Sequence, residues 1–135
     1  MTIQLAVNVR NARLDAIETN VGTSPILRIR TGAAPANCAT SDSGTVLATL
    51  NLPSDWANGA SGGSKSLLGT WEDTSADASG TAGHFRMYDS GDSECKIQGT
   101  ITATSGGGDM ELDNVVLASG QVFNVTTFTL TDGNA

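Results

Sequence analysis

Few residues in this 135-residue chain have the types and spacing needed for chemistry. His84 is the only histidine, and in the run GHFRMYD it lies two residues from Arg86. Hydrolysis or acyl transfer would need a nucleophile and an orienting acid around it, and no local pattern such as GxSxG is present. His84 is therefore expected to be a solvent-facing or interface strand residue, and the chain is expected not to be an enzyme. Two acidic clusters have the residue types of a calcium site. Asp89, Asp92 and Glu94 surround a glycine within six residues, but their spacing is not that of an EF-hand loop. Asp109, Glu111 and Asp113 alternate with Met110 and Leu112, which suits a solvated strand face. No metal or cofactor is expected. The glycines at 62–63 and 106–108 open no helix and precede no GKS or GKT, so they are not phosphate loops.

Cys38 and Cys95 are too few for a disulfide scaffold and are not spaced as a metal knuckle. Two free, partly buried thiols are expected in a reducing compartment. The alternative is a bond formed after cell lysis, which on the loop-entropy account adds about 4 kcal/mol.

Charge is unevenly placed along the chain, whose net value is −7. Residues 1–30 carry Arg10, Arg13, Arg28 and Arg30 against Asp15 and Glu18, whereas residues 31–135 carry three bases against twelve acids. An acidic body argues against nucleic acid as a partner, because phosphate neutralisation needs clustered Lys and Arg. The start MTIQLAVNVRNARLDAIE reaches charge before an apolar core develops, so no cleaved signal is expected, and no run approaches the roughly 20 apolar residues of a membrane span. A soluble protein made in the cytoplasm is the expectation.

The elements that would position these residues are mostly strands. Hydrophobic residues make up 39% and charged residues 16%, with sixteen glycines, a mixture too apolar for disorder and too small and uncharged for a helical bundle. Residues 3–21 read as the one helix, with Val7, Leu14, Ile17 and Val21 on a stripe and Gly22 as terminator. It is expected either to pack on the domain or to dock a neighbouring subunit through Arg10 and Arg13. Pro25 to Leu52 then reads as two strands joined by a long loop. Leu27 and Ile29 face one way and Arg28 and Arg30 the other; Val46, Ala48, Leu50 and Leu52 share a face.

Beyond Pro53, Trp56 is expected to cover one end of the core or sit in an interface, and Leu67, Leu68 and Trp71 mark another strand. Phe85 and Met87 alternate with His84, Arg86 and Tyr88. After a turn at 89–93, Cys95, Ile97, Gly99, Ile101 and Ala103 alternate with Lys96, Gln98, Thr100 and Thr102, which is the strongest hairpin signal. Met110 and Leu112 are expected inward. Phe123 and Val125 fall out of phase with Phe128 and Leu130, and a bulge near Thr126 would reconcile them. Seven or eight strands with frequent turn signals predict an antiparallel two-sheet β-sandwich, jelly-roll or immunoglobulin-like, over residues 23–135, with the N-terminal helix over 1–22.

The order LRIRTG, AAPAN, GTVLATLNL, a GGS segment, DTSADASGTAGHFRMYD, GGGDMELDN and a last strand ending in TLT resembles a family of small virion proteins from the structural gene blocks of tailed bacteriophages. The resemblance runs over nearly the whole chain. It implies a non-enzymatic virion component, of which a head decoration or cement protein binding the major capsid protein or other copies of itself is favoured. A neck, tail or fibre component is the runner-up. A carbohydrate-binding module would need Trp56, Trp71 and Tyr88 as an aromatic face, and a hydrolase is the weakest class. The expected interface is the basic end, Arg10, Arg13, Arg28 and Arg30, with the loop residues Gly32, Ala33, Ala34, Pro35, Ala36 and Asn37.

Overall fold

Helix α1 spans Val7–Val21, starting four residues later than its periodicity predicts, because the extended Ala6 before it offers no side-chain cap. Its end is the expected one. Gly22 takes φ 87°, and its N–H donates to the Glu18 carbonyl. Leu14 and Val21 are buried and Ile17 is partly buried, whereas Val7 is exposed, so the apolar stripe is shorter than predicted. Much of the helix is fastened by polar contacts instead. The computed structural model describes residues 3–133 and is mainly β, with this one helix and several sheets.

Strand β1, Ile26–Thr31, lies between β2, Val46–Asn51, and β5, Gly80–Tyr88. Beyond β5 come β6, Cys95–Ala103, and β7, Met110–Leu112, in the order β2-β1-β5-β6-β7, while β8, Val116–Leu117, pairs with the start of β5. Antiparallel pairing of β5 with β6 gives the predicted hairpin. The pairing of β6 with β7 is parallel, Ile101 opposite Met110, which departs from the all-antiparallel expectation. The glycines at 106–108 make that short return possible. A Cβ on Gly106 would stand 2.6 Å from the Thr102 side chain, and one on Gly108 would stand 2.9 Å from the Thr102 nitrogen.

Two small sheets complete the set. β3, Ser64–Ser66, pairs with β10, Thr129–Thr131, and β4, Trp71–Asp73, pairs with β9, Phe123–Val125. The single strand predicted around Leu67, Leu68 and Trp71 is not formed: Leu67 and Leu68 lie between β3 and β4, which belong to different sheets, with Gly69 at φ 77° after them. The phase change after Val125 has the same origin: β9 and β10 are separate strands, so no bulge at Thr126 is needed.

Leu27, Ile29, Leu50, Phe85 and Met87 from the large sheet share a core with Trp56, Trp71, Phe123, Val125 and Phe128. Phe85 meets Phe128 edge-on at 5.7 Å, and Phe128 meets Trp71 at 5.3 Å. Such tilted contacts suit the ring quadrupoles. Trp56 is a core residue whose Nε1 donates to the Gly22 carbonyl, tying the helix end to the core.

Two bulges alter the predicted faces. Ile29 pairs with Ala48 but Arg30 pairs with Val46, so Leu47 is the extra residue; Leu47 and Ala48 are both fully buried, and Val46 moves to the arginine face. Likewise Met87 pairs with Ile97 but Tyr88 with Cys95, leaving Lys96 extra and bringing Cys95 onto the Arg86 face.

Candidate functional site: the strapped polar face

Alternation in β1 and β5 places Arg28, Arg30, His84, Arg86 and Tyr88 on the face of the large sheet away from the core. Such a face is ordinarily wetted, and His84 was predicted to face solvent or a partner. It does neither: His84 is fully buried and Arg86 is 1% exposed. The cause is the connection from β1 to β2, residues 32–45, which folds back as a strap over this face.

The strap's backbone supplies acceptors that the cations lack. Arg86 Nη2 donates to the carbonyls of Cys38 at 2.9 Å, Thr40 at 3.0 Å and Asn37 at 3.3 Å, and its Nη1 reaches Asp42 Oδ1 at 2.5 Å. Arg30 Nη2 donates to the other Asp42 oxygen at 3.1 Å, and the Tyr88 hydroxyl donates to Oδ1 at 2.6 Å. Gln98 Nε2 donates to the Pro35 carbonyl and the His84 Nδ1–H to that of Gly32. Assigning the proton to Nδ1 follows from its carbonyl partner, and leaves Nε2 buried without one.

Local sequence shapes the strap for this role. Asn37 Oδ1 accepts from the Ala39 and Thr40 amides, an Asx turn that aligns neighbouring carbonyls toward Arg86. Gly83 lets the strap begin close to the sheet. It is the extra residue where Arg30 pairs with His84 and Thr31 with Ala82, and a Cβ there would lie 2.3 Å from the Gly32 oxygen.

Electrostatics concentrate on Asp42. Burial alone would raise its pKa, but the Tyr88 and Arg86 hydrogen bonds and the neighbouring guanidinium charges hold it below the ordinary carboxylate range. Tyr88 moves upward, first through burial and then through its bond to Asp42. At the rim, Arg28 forms a two-point pair with Asp92 at 2.6 and 2.7 Å and lies over the Tyr88 ring. That guanidinium lowers the Asp92 pKa.

A second polar cluster holds the helix. Buried Lys65 on β3 reaches Asp15 at 2.8 Å and Glu18 at 2.6 Å; burial opposes its charge, but these partners raise its pKa overall. Asn11 accepts from the Gly63 amide, Arg10 donates to the Asp132 carbonyl, and Arg13 pairs with the Asp132 carboxylate.

Chain comparisons with known protein families, curated proteins and solved structures give no match.

The predicted basic end is not a free patch. Arg28 and Arg30 are committed to Asp92 and Asp42, and Arg10 and Arg13 to Asp132. Among the loop residues, Gly32, Ala33, Ala36 and Asn37 are exposed and Ala34 and Pro35 are partly buried. Sequence reasoning missed Asp42, Arg86, Gln98 and His84 as members of one network. Chemically the arrangement binds the loop; among the described residues no hydroxyl or thiol nucleophile is hydrogen-bonded to His84. The acidic clusters have local uses: Asp89 accepts from Ser93, Asp109 from Thr100 and Glu111 from Ser105. Among the described residues no group of three or more His, Cys, Asp or Glu is placed to hold a metal.

Proposed function

We propose that the protein is a non-enzymatic structural component of a tailed-phage virion, a head decoration or cement protein that binds the major capsid protein and its own copies and stabilises the capsid. The supporting observation is the strap. A long loop is normally costly to order on binding, but here the Arg86 and Asp42 contacts fix it beforehand while Ala33, Ala36 and Asn37 remain exposed. Fixed loops with small apolar tips suit repetitive, high-copy assembly. The sequence resemblance to tailed-phage virion proteins points the same way. In this reading the large sheet and the small aromatic sheets are the two layers of a β-sandwich of jelly-roll or immunoglobulin-like order.

The docking surface is then the strap, Gly32 to Asn37, and not the arginine cluster as a whole. Every basic side chain from Arg10 to Lys96 is bonded within the chain, which also argues against nucleic acid and anionic membrane as partners. A sugar-binding face finds no support, since Trp56, Trp71 and Tyr88 are all buried.

Gel band intensity in purified particles tests the assignment. Hundreds of copies per particle fit capsid cement, a few copies fit a neck, tail or fibre component, and absence from particles refutes a virion role. Binding to undecorated capsids should be lost in Ala36→Asp with folding retained. Equal co-sedimentation of that variant would remove the strap from the interface.

A further inference from the structure

The strap network brings the chain's two cysteines to one face of the large sheet. Cys38 lies in the strap, where its carbonyl accepts from Arg86 Nη2 at 2.9 Å. Cys95 opens β6 and reaches the same face through the bulge at Lys96. Both line one cleft of about 390 Å³ with Arg28, Asp42, Arg86 and Tyr88, and the Cys38 side chain is among the neighbours that act on the Cys95 thiol. Both are free and half-buried. Thiols that share one cleft are candidates for a disulfide, which forms without backbone movement when the Cα atoms stand within about 7 Å.

We infer that Cys38 and Cys95 are a dithiol–disulfide pair that fastens the strap to β6, with a small-molecule disulfide of the oxidised-glutathione class as oxidant. The Cys38 thiolate attacks one sulfur of that disulfide, forming a mixed disulfide and releasing one small thiol. Cys95 then loses its proton to water or buffer and attacks the Cys38 sulfur, expelling the second small thiol. The chain's two thiols are oxidised, the small disulfide is reduced to two thiols, and no other reactant is needed.

Burial, and then the neighbouring Cys38 thiol, push the Cys95 thiol up to about 11. Little Cys95 thiolate exists at neutral pH, so ring closure by Cys95 is slow there and quickens as pH rises. The bond joins strap and sheet across the face where they are otherwise held by hydrogen bonds to strap carbonyls and to the Asp42 carboxylate. It is independent of the virion reading.

Native protein held with excess oxidised glutathione at about pH 8.5 and analysed by mass and peptide mapping tests this. The expected product is an unadducted monomer lighter by about 2 Da, with one Cys38–Cys95 peptide pair and a thermal midpoint raised on the order of 10 °C, reversed by dithiothreitol. Cys95→Ser should instead retain one glutathione on Cys38, and the double variant Cys38→Ser, Cys95→Ser should be unchanged by the oxidant. Glutathione on both cysteines, crosslinked dimers or two persistent thiols would each overturn the pairing. A bond that forms without moving the midpoint would overturn its role as a fastener.

Discussion

Replacing Arg86 with leucine should release the strap while leaving the core folded. Leucine keeps an apolar stem beneath the strap but removes the donors that serve three loop carbonyls and Asp42. Hydrogen bonds to a charged group contribute about 1.5–3 kcal/mol each, and breaking a buried pair by deleting one partner costs about 3–5 kcal/mol. Two features hold the effect near the lower end. Asp42 keeps Arg30 and Tyr88, and its side chain is 42% exposed, so solvent screens much of its loss. Once the strap lifts, its carbonyls also reach water, so the penalty stops growing. A loss of about 3 kcal/mol follows, lowering the midpoint by roughly 6–15 °C for a domain of this size.

Thermal unfolding measures the loss, and alkylation of Cys38 under native conditions measures the opening. Arg86→Lys should lie between wild type and leucine, because an ammonium keeps the charge but cannot span Asp42 and the carbonyls with a planar fork. A wild-type midpoint together with a wild-type alkylation rate in Arg86→Leu would refute the reasoning, since neither burial nor the carbonyl contacts would then be holding the loop.

Leu14→Asp places an unpaired charge at a buried helix position and should lower stability by about 3 kcal/mol or more; an unchanged melting midpoint would show that this face of α1 is not packed. Gly83→Ala forces the strap off the strand at the Gly32 contact and should cost about 1–3 kcal/mol, with faster proteolysis within residues 32–45 as its signature. Asp15, Asp42, Asp89 and Asp92 titrate below the ordinary carboxylate range, so their stabilisation is present above about pH 4 and lost as pH falls through their folded values. Lys65 and Tyr88 titrate above theirs, so their contribution is present below about pH 10 and lost as pH rises through the folded values; melting across pH should give a plateau between these limits. EDTA should move the midpoint by no more than about a degree, and a larger drop restored by calcium would identify an ion site among the turn acids.

The parts of this fold legible in the sequence are those governed by local periodicity. Leu14 and Val21 mark the buried side of α1, Gly22 its end, and the β5–β6 alternation its hairpin. What escaped notice depends on one residue more or less in a strand. Nothing local distinguishes Leu47 or Lys96 as a bulge, yet each reverses the face of the residue before it, and that is how Val46 and Cys95 come to lie among the arginines.

The buried polar face was hidden for a different reason. Arg28, Arg30, His84 and Arg86 alternate with apolar residues as any wetted strand face does, and the groups that meet them are the carboxylates of Asp42 and Asp92 from other segments together with backbone carbonyls, which every sequence possesses. A compositional signal was nonetheless present. In a chain with seven bases and fourteen acids, three arginines fall on two neighbouring strands, and a long connection carrying Asn37 and Asp42 lies between β1 and β2. Cations concentrated on one sheet face must either meet a partner or be covered, and a loop with an acid and an Asx-turn former beside them can cover them. Once covered, they no longer supply an interface. On the proposed docking role, the recognition energy of the exposed strap would come from shape and small apolar contacts, with Arg30 and Arg86 acting by holding that surface in one conformation.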